Sequence, residues 1–334
     1  MAYRKHLHLC MRKLLAILSF SLLGYGLMSQ VYGVQTHAPF SQLMNNPACA
    51  GMNQEMEVLA WYRNQWTNLS GATISHPAFA IGVPILKIRS GLSFQFHYDM
   101  IGAARNAHVN LGYAYQIQFR KWQIGLGVSG GIVQASILGA LLRAPEGDYA
   151  GGVINHNDPL IPVSTENGTA PLLGAGFFIK RQGFRLGCNG LSLLSGKASA
   201  NVDNTIKNII FRRQIQAFAA YEFAIGKKYF LEPAVQYRTD LVQHQMEFLL
   251  NWSYKRRIRL GAGYRGYNNL SNSGVLLQIG SQIVDRLEIG YSYDISIGGL
   301  RGANGGSHEV MIRWTRPFKK KEVNLKTIYN PRFL

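Results

Sequence analysis

The sequence predicts an all-β protein that forms a closed antiparallel up-and-down transmembrane β-barrel of about 14 strands, with both termini periplasmic. Three observations support this fold class. Stretches of about ten residues alternate apolar and polar side chains. Charged residues make up only 16% of the chain, whereas soluble domains carry roughly 25%. Short basic connections alternate with longer ones along the sequence.

The composition excludes several other classes of protein. The 334 residues include 35 Lys and Arg against 17 Asp and Glu, which gives a formal net charge of +18. Hydrophobic residues make up 47% of the chain, too many for a disordered protein. After the N-terminal segment, no apolar run reaches the ~18 residues that a transmembrane helix needs. Nucleic acid is not an expected partner, because no recognised motif accompanies the basic charge.

Residues 1–33 are predicted to be a signal peptide, so the protein is expected to be exported. Basic residues precede an apolar run over 14–28, and small residues follow it, so cleavage is expected after Gly33. An N-terminal anchor helix is the less favoured alternative, because glycines interrupt the run. The mature chain would keep Cys49 and Cys188, and two cysteines so far apart are not a disulfide framework.

The segment 107–119 illustrates the strand pattern. One face is apolar and comprises Val109, Leu111, Tyr113, Tyr115, Ile117 and Phe119. A soluble β-sandwich is the alternative, since its strands alternate too, but a sandwich needs a charged outer face. Aromatic residues toward the strand ends are interpreted as the girdles at the two membrane interfaces: Trp61, Tyr98, Trp122, Tyr229, Tyr237, Trp252, Tyr254 and Trp314.

The strand pattern places the barrel over 57–316. It lies between an N-terminal periplasmic segment over 34–56 and a basic periplasmic tail over 317–334. The second of the fourteen stretches is the weakest, because it contains proline. The predicted strands cover 57–63, 72–83, 90–98, 107–119, 122–133, 171–180, 184–194, 209–223, 228–238, 243–254, 256–265, 273–283, 286–295 and 306–316.

The connections between these strands alternate in length, which indicates an up-and-down barrel and not a Greek-key sandwich. The short ones are 120–121, 181–183, 226–228, 255–257 and 284–286, and they carry much of the basic charge. The longer ones include 100–106, 134–170, 195–208, 266–272 and 296–305. Two interpretations of the basic rim stay open: a solvated edge, or a docking surface for an acidic periplasmic partner.

The inward-facing positions carry charges of both signs. They include Glu222, Glu232, Glu247, Glu288 and Glu309, with Arg63, Arg238, Arg265 and Arg313. Buried charges need partners, so the sequence predicts a salt-bridged interior. A barrel of this size has room for a channel or for packed side chains and loops, and the sequence does not choose between them.

Catalysis is not expected, and neither is a cofactor or a metal site. The sequence has no Gly-x-Ser-x-Gly elbow, no His-Glu-x-x-His motif and no Walker loop. His308 and Glu309 are neighbours on a strand and so point to opposite faces. A barrel lipase built on Ser93 with His97 or His108 is the disfavoured enzymatic alternative.

Motifs near both ends of the chain carry a family resemblance. Asn46-Pro47-Ala48-Cys49-Ala50-Gly51 is followed by Tyr62-Arg63-Asn64-Gln65-Trp66 and by Asp99-Met100-Ile101-Gly102. Tyr291-Ser292-Tyr293-Asp294, Gly305-Gly306 and Ser307-His308-Glu309 come near the C-terminus. In this order the motifs closely resemble the PorP/SprF family of the Bacteroidota type IX secretion and gliding system. The family usually has Tyr where this chain has Cys49.

The resemblance spans nearly the whole mature chain and implies an integral outer-membrane β-barrel. Family members act with the type IX machinery. Some associate with the periplasmic ring and its peptidoglycan-linking partners, and others secrete or anchor a cell-surface adhesin. The resemblance therefore implies an accessory or anchor component of type IX secretion in the outer membrane of a Gram-negative bacterium, with lipid and secretion components as partners. The alternative is a porin or channel for small solutes.

The family motifs also have physical interpretations. Asn46-Pro47 favours a turn, Arg63 could pair with a lumen carboxylate, and Gly306 permits a tight turn. Barrel closure and turn formation are favoured over direct partner contact for all of these residues. The candidate residues are Asn46, Pro47, Gly51, Tyr62, Arg63, Asn64, Gln65, Trp66, Asp99, Gly102, Tyr293, Asp294, Gly306, His308 and Glu309.

Overall fold

The structure is a computed structural model that describes residues 35–69, 74–158, 161–194, 197–202, 205–266, 274–299 and 301–318. For 197–202 and 205–210 it describes the backbone alone. The predicted signal peptide and all but the first two residues of the predicted tail lie outside the described residues.

Most of the described residues are in β-strands. The strands are β1 (Glu55–Gln65), β2 (Ile74–Ile85), β3 (Ser90–Ile101), β4 (Ala104–Phe119), β5 (Trp122–Leu138), β6 (Thr165–Arg181), β7 (Phe184–Leu191), β8 (Lys197–Val202), β9 (Thr205–Ile210), β10 (Gln214–Tyr221), β11 (Phe223–Ile225), β12 (Tyr229–Thr239), β13 (His244–Tyr254), β14 (Ile258–Arg265), β15 (Gly274–Val284), β16 (Leu287–Ser296) and β17 (Ser307–Pro317). Short 3₁₀ turns occur at Pro47–Cys49, Leu86–Ile88, Gly139–Leu141 and Ala150–Gly152.

Fourteen strands close into an antiparallel barrel. Their order is β10-β7-β6-β5-β4-β3-β2-β1-β17-β16-β15-β14-β13-β12, and β12 pairs back to β10. The short strand β11 continues β10 beyond Glu222, because both pair with β12 in the same register, Ala220 with Ala234 and Phe223 with Leu231. The predicted closed antiparallel barrel and its number of strands are confirmed. The hairpin of β8 and β9 lies outside the barrel sheet and was not predicted.

The alternation of side chains gives the barrel an apolar outside and a mixed inside. In β13, Phe248 and Leu250 are exposed on the outer face, while Glu247, Leu249 and Asn251 are buried on the inner face. Period-two alternation in a closed sheet leaves each outward residue to face lipid. In the described part of the chain, no helix has the length and apolar character needed to cross a membrane.

The two ends of the barrel differ. At the short-turn end the connections are 86–89, 120–121, 182–183, 226–228, 255–257 and 285–286, and both Glu55 and Pro317 lie there. At the long-loop end they are 66–73, 102–103, 139–164, 192–213, 240–243, 266–273 and 297–306. Most of the predicted alternation holds. The connection predicted over 100–106 is instead a two-residue turn, because β3 and β4 extend beyond their predicted ends.

The prediction that Trp61 belongs to an aromatic girdle was wrong. Trp61 is only 4% exposed and lies on the inner face of β1, on the same side as Arg63. Tyr62, between them, faces outward and is 46% exposed. An aromatic residue near a strand end can belong to a girdle or can point into the barrel. The two cases differ only in which face of the strand carries the side chain.

The outer face gives a prediction about stability. Leu250→Arg is expected to lower the free energy of unfolding in lipid vesicles by about 2–4 kcal/mol, since Leu250 lies mid-strand on the lipid face. Leu241→Arg is the matched control, because Leu241 is exposed to a similar degree but lies in the loop over 240–243. It is expected to change stability by less than about 0.5 kcal/mol. Equal effects of the two substitutions in urea unfolding would contradict the assignment of the lipid face.

Candidate functional site

The interior of the barrel is filled by the N-terminal segment 35–54, here called the plug. Nearly all residues from 35 to 50 are buried, although they belong to no strand. The plug joins β1 at the short-turn end. Its first residues lie near the long-loop end, since Thr36 contacts Asp294 and Glu309 close to the loop over 297–306. Residues 35–54 of the segment predicted over 34–56 thus lie within the lumen.

Apolar side chains pack the plug against opposite walls of the barrel. One cluster joins plug residues to β1, β2, β4 and β17, and a second joins them to β6, β10, β12, β13 and β15. The first contains Phe40, Leu43, Met44 and Ala50 with Leu59, Trp61, Ala78, Ala80, Ala114 and Met311. The second contains Ala48 and Met52 with Phe178, Phe218, Ala220, Ala234, Leu249 and Leu276. Contact with both walls leaves the plug bridging the lumen.

The signature over 46–51 forms the middle of the plug. Asn46 caps the 3₁₀ turn Pro47–Cys49, because its Oδ1 accepts a hydrogen bond from the Ala48 N–H at 3.0 Å. Its Nδ2 donates to the Phe177 carbonyl on the wall at 2.9 Å. Gly51 has a φ of +71°, which favours glycine, and releases the chain toward β1. The predicted turn is therefore present, and it also docks on the barrel wall.

Glycines on the inner wall let the plug approach the strands closely. A Cβ on Gly127 would overlap the backbone of Ala48, and a Cβ on Gly91 would overlap the backbone of Ala50. Both alanines are fully buried. Small residues on the plug and glycines on the wall thus fit each other, and a larger side chain on either would displace the plug.

A buried ionic cluster anchors the start of the plug. Arg63 Nη2 lies 2.6 Å from Asp294 Oδ2, and its Nη1 lies 3.1 Å from Glu309 Oε2. The Glu309 carboxylate also accepts hydrogen bonds from the backbone N–H groups of Thr36 and His37 at 3.0 and 2.9 Å. The Nδ1 of His37 lies 2.8 Å from the same carboxylate. The wall charges therefore bind the plug as well as one another.

The cluster extends along the wall from β16 to β14, β13 and β12. Arg265 contacts Asp294 at 2.7 Å and Glu247 at 3.1 Å, and Arg238 contacts Glu247 at 3.1 Å. These three arginines and three carboxylates are all at least nine-tenths buried, and their formal charges cancel. Burial makes each group dependent on its partners, because an unpaired charge here would lose its hydration without compensation. The predicted salt-bridged interior is confirmed.

A second set of contacts holds the plug toward the short-turn end. Arg185 donates to the Pro39 carbonyl at 2.8 Å and to Glu232 at 2.5 Å. The guanidinium of Arg259 lies 4.8 Å from the centre of the Phe40 ring, a cation–π contact. Farther along the plug, Gln116 donates to the carbonyl of Ala50 at 2.8 Å. The plug is thus bound along its whole length.

Asp99 lies inside the barrel between two histidines. His76 Nδ1 lies 2.7 Å from one carboxylate oxygen, and His108 Nε2 lies 3.3 Å from the other. Ser93 Oγ has no hydrogen-bond partner among the described residues, so the Ser–His pair of the lipase alternative is not formed. Within the described residues, no group of three or more His, Cys, Asp and Glu side chains could hold a metal ion.

The structure brings some of the candidate residues together and leaves others apart. Arg63, Asp294 and Glu309 form one cluster, although they are far apart in sequence. His308 lies on the outer face, where its Nδ1 is 2.7 Å from the Tyr291 hydroxyl. Tyr62 also faces outward.

The remaining candidates stabilise turns and strand ends. Tyr293 donates to the Gly305 carbonyl at 3.0 Å, and the Trp66 N–H donates to Ser307 Oγ at 3.1 Å. Gly102 and Gly306 have φ of +57° and +84° at turns. Asn64 pairs with His308 in the β1–β17 ladder, and Gln65 is the last residue of β1.

The plug residues of the ionic cluster could not be recognised in the sequence. Thr36 and His37 precede the signature and follow no periodic pattern, so no signal in the sequence pointed to them. Cys49, which stands where the family usually has Tyr, lies in the plug and packs against the second apolar cluster.

The short-turn end carries a ring of exposed cations, here called the basic rim. It comprises Lys87, Arg89, Arg120, Lys121, Arg181, Lys227, Lys228, Lys255, Arg256, Arg257, Arg286 and Arg316. Some of these cations stack on aromatic rings, as Arg181 does over Trp122 at 4.7 Å and Arg256 over Phe230 at 4.0 Å. The other residues predicted to make the tail basic, Lys319, Lys320, Lys321 and Lys326, lie outside the described residues.

Comparison with known proteins gives one family and several similar folds. The family model described as type IX secretion system membrane protein PorP/SprF matches residues 33–314. No curated protein matches the chain. Among solved structures, the Pseudomonas putida toluene transporter TodX is similar, with a TM-score of 0.47 and 11% identity over 88% of this chain and 96% of that one. A Pseudomonas aeruginosa FadL homologue is similar with a TM-score of 0.47 and 11% identity, over 83% and 94% of the two chains.

Proposed function

This chain belongs to the PorP/SprF family of type IX secretion system membrane proteins, and from that premise we propose that it is an outer-membrane anchor or accessory of type IX secretion. The family consists of secretion-system membrane components and is not an enzyme family. In our proposal the barrel supports secretion or surface attachment of a partner protein, such as an adhesin, or docks the periplasmic ring or a peptidoglycan-linking protein.

The filled lumen is the observation that carries this proposal. The plug contacts opposite walls through two apolar clusters, and a charge-neutral ionic cluster on the wall binds its first residues. A diffusion channel needs a continuous aqueous path, and a strongly selective one needs an excess of one sign. The plug and the balanced charges count against the alternative of a small-solute porin and favour a barrel that works through its two surfaces.

The basic rim is our candidate for the docking surface. We assign the short-turn end to the periplasm, because outer-membrane barrels place their short turns there. An acidic partner would be attracted by complementary charge, and its association would weaken as salt rises. The long-loop end would then face the cell surface, where an attached adhesin would be displayed.

Deletion of the protein tests the proposed function. We expect loss of surface display of one or more partner proteins, with uptake of small solutes unchanged. The native protein, purified from detergent-solubilised outer membrane, is expected to retain a secretion component. Normal surface display together with reduced solute uptake would contradict the proposal and favour the porin.

Charge reversal tests the docking surface separately. Lys227→Glu, Lys228→Glu and Arg257→Glu together are expected to reduce retention of the secretion component at physiological salt. The matched control reverses Arg143, Arg213 and Arg301, which are exposed at the long-loop end. Equal retention by both triple variants would contradict the role of the basic rim.

A further inference from the structure

Aromatic side chains cover the outside of the barrel at the short-turn end of β4–β7. Phe119 and Trp122 flank the turn over 120–121 and pair across the β4–β5 hairpin. Phe119 is 59% exposed, so both lie on the outer face. Phe184, which follows the next short turn, meets the Trp122 ring edge-on, with 6.3 Å between the ring centres. These three rings therefore lie together where the lipid face meets the turns.

The aromatic surface continues around the barrel to β13. Tyr221 pairs with Phe184 in the β10–β7 ladder, and its ring centre lies 4.5 Å from that of Phe223 on β11. Tyr229 on β12 pairs with Tyr254 on β13 and stacks on Trp252 at 5.8 Å. The eight side chains form one strip, here called the aromatic band: Phe119, Trp122, Phe184, Tyr221, Phe223, Tyr229, Trp252 and Tyr254.

Cations of the basic rim lie directly on the aromatic band. The distances from cation to ring centre are 4.7, 5.3 and 5.4 Å for Arg181 on Trp122, Arg120 on Phe119 and Lys255 on Tyr254. Such contacts hold a cation at an aromatic face. None of these three cations forms an ion pair within the part of the chain that the structure describes, whereas Arg256 of the same rim pairs with Glu222 at 2.6 Å.

The other half of the short-turn end, over β14–β17 and β1–β3, is built differently. Exposed aliphatic side chains stand next to its turns, namely Ile258, Ile283 and Ile289. Its exposed rim cations include Lys87, Arg89 and Arg286, and among the described residues none of these three lies over an aromatic ring. Positive charge thus surrounds the whole end, but the stacked cations lie over β4–β13.

We propose that this half of the short-turn end, over β4–β13, binds the headgroups of anionic phospholipids. The aromatic band lies on the lipid face, at the depth where interfacial aromatic rings contact the headgroup region of a bilayer. The guanidinium groups of Arg120 and Arg181 have unused donors, and guanidinium groups bind phosphate through paired hydrogen bonds. A lipid phosphate meets both features at once, because its acyl chains extend along the apolar outer wall.

The charge of the site selects among phospholipids. Phosphatidylethanolamine carries an ammonium group that cancels its phosphate charge, whereas phosphatidylglycerol keeps a net negative charge and complements the unpaired cations. The proposal does not rest on the secretion role. It also uses other cations than Lys227, Lys228 and Arg257, which are assigned above to the secretion component, so the two proposals can fail separately.

Native mass spectrometry of the full purified protein in a non-ionic detergent tests the proposal. The probes are phosphatidylglycerol and phosphatidylethanolamine with identical acyl chains, each titrated alone. We expect phosphatidylglycerol to bind about tenfold more tightly, since each Lys or Arg near a membrane surface favours anionic lipid. Inorganic phosphate in excess is expected not to displace it, because free phosphate has no acyl chains to contact the apolar wall.

Two matched triple variants locate the binding. Each replaces three exposed cations by glutamine and so removes the same charge from the same end of the barrel. The site variant combines Arg120→Gln, Lys121→Gln and Arg181→Gln, and the control combines Lys87→Gln, Arg89→Gln and Arg286→Gln. We expect the site variant to lose the preference for phosphatidylglycerol and the control to keep it. All six positions are exposed, so both variants are expected to fold.

Trp122→Leu tests the aromatic part of the site. The substitution keeps an apolar side chain on the lipid face but removes the ring under Arg181. We expect phosphatidylglycerol to bind about two- to fivefold more weakly. Unchanged binding would show that the aromatic band does not position the cations.

Three results would overturn the lipid site. The first is equal affinity of the native protein for phosphatidylglycerol and phosphatidylethanolamine. The second is an equal loss of phosphatidylglycerol binding in the site variant and the control variant, which would show only a general effect of net charge. The third is displacement of phosphatidylglycerol by inorganic phosphate, which would show that the cations bind a free anion and not a lipid.

Discussion

Arg63→Met is expected to lower the free energy of unfolding of the barrel by about 3–5 kcal/mol. Arg63 is 1% exposed and bonds both Asp294 at 2.6 Å and Glu309 at 3.1 Å. Its removal leaves two buried arginines against three buried carboxylates, so one negative charge stays without compensation. The methionine fills much of the volume, and the loss therefore reports the charge and not a cavity.

The measurement is urea unfolding in lipid vesicles, monitored by tryptophan fluorescence. Arg257→Met is the matched control, because its side chain is 67% exposed and lies 4.0 Å from Asp285. Exposed pairs of this kind contribute about 0–1 kcal/mol. We also expect Asp294→Asn to restore part of the stability lost in Arg63→Met, since it removes one of the two carboxylates that Arg63 contacts and makes the formal charges of the cluster equal again. Similar losses in Arg63→Met and Arg257→Met would contradict the ionic cluster.

Gly127→Val is expected to open the lumen. The Cβ of any side chain at Gly127 would overlap the backbone of Ala48, and overpacking of this kind costs about 1–3 kcal/mol. The plug can avoid the clash only by moving off β5, and an aqueous path would then form beside it. In planar bilayers we expect no steady conductance from the native protein and steady single-channel steps from the variant.

Gly130→Val is the control for this experiment. Gly130 lies on the same strand but faces outward, and the nearest atom to its added Cβ is 3.7 Å away on Leu173. The control should stay as closed as the native barrel. If Gly127→Val stays closed as well, the plug does not depend on close contact with the wall, and the glycine fit proposed here is wrong.

The barrel could be predicted from the sequence because its strands and turns are determined by local residue patterns. The residue pattern of each strand shows which side chains face outward and which face inward, as for exposed Leu250 and buried Leu249 in β13. The length of each turn can also be read from the sequence. Strand number, order and closure follow from repetition of those local patterns. The hairpin of β8 and β9 was missed because it lies within a long connection that the barrel pattern does not constrain.

The plug could not be predicted, because it has no periodicity of its own. Its residues 35–54 bind through backbone groups and small side chains, and these leave no pattern. Arg63, Asp294 and Glu309 were named from the family motifs, and their faces follow from alternation. Their common partner Thr36 contacts Asp294 and Glu309 across more than 250 residues of sequence, and only the folded barrel brings these residues together.

Hydrogen exchange of the native protein, measured by mass spectrometry in detergent, tests the plugged lumen most directly. The Thr36 and His37 N–H groups bond the buried Glu309 carboxylate, and other amides of the buried plug, such as those of Asn46 and Ala50, bond carbonyls of the plug itself. We therefore expect peptides from 35–54 to exchange as slowly as the strands. Exchange of 35–54 at the rate of an unstructured peptide, with the strands still protected, would contradict the plug.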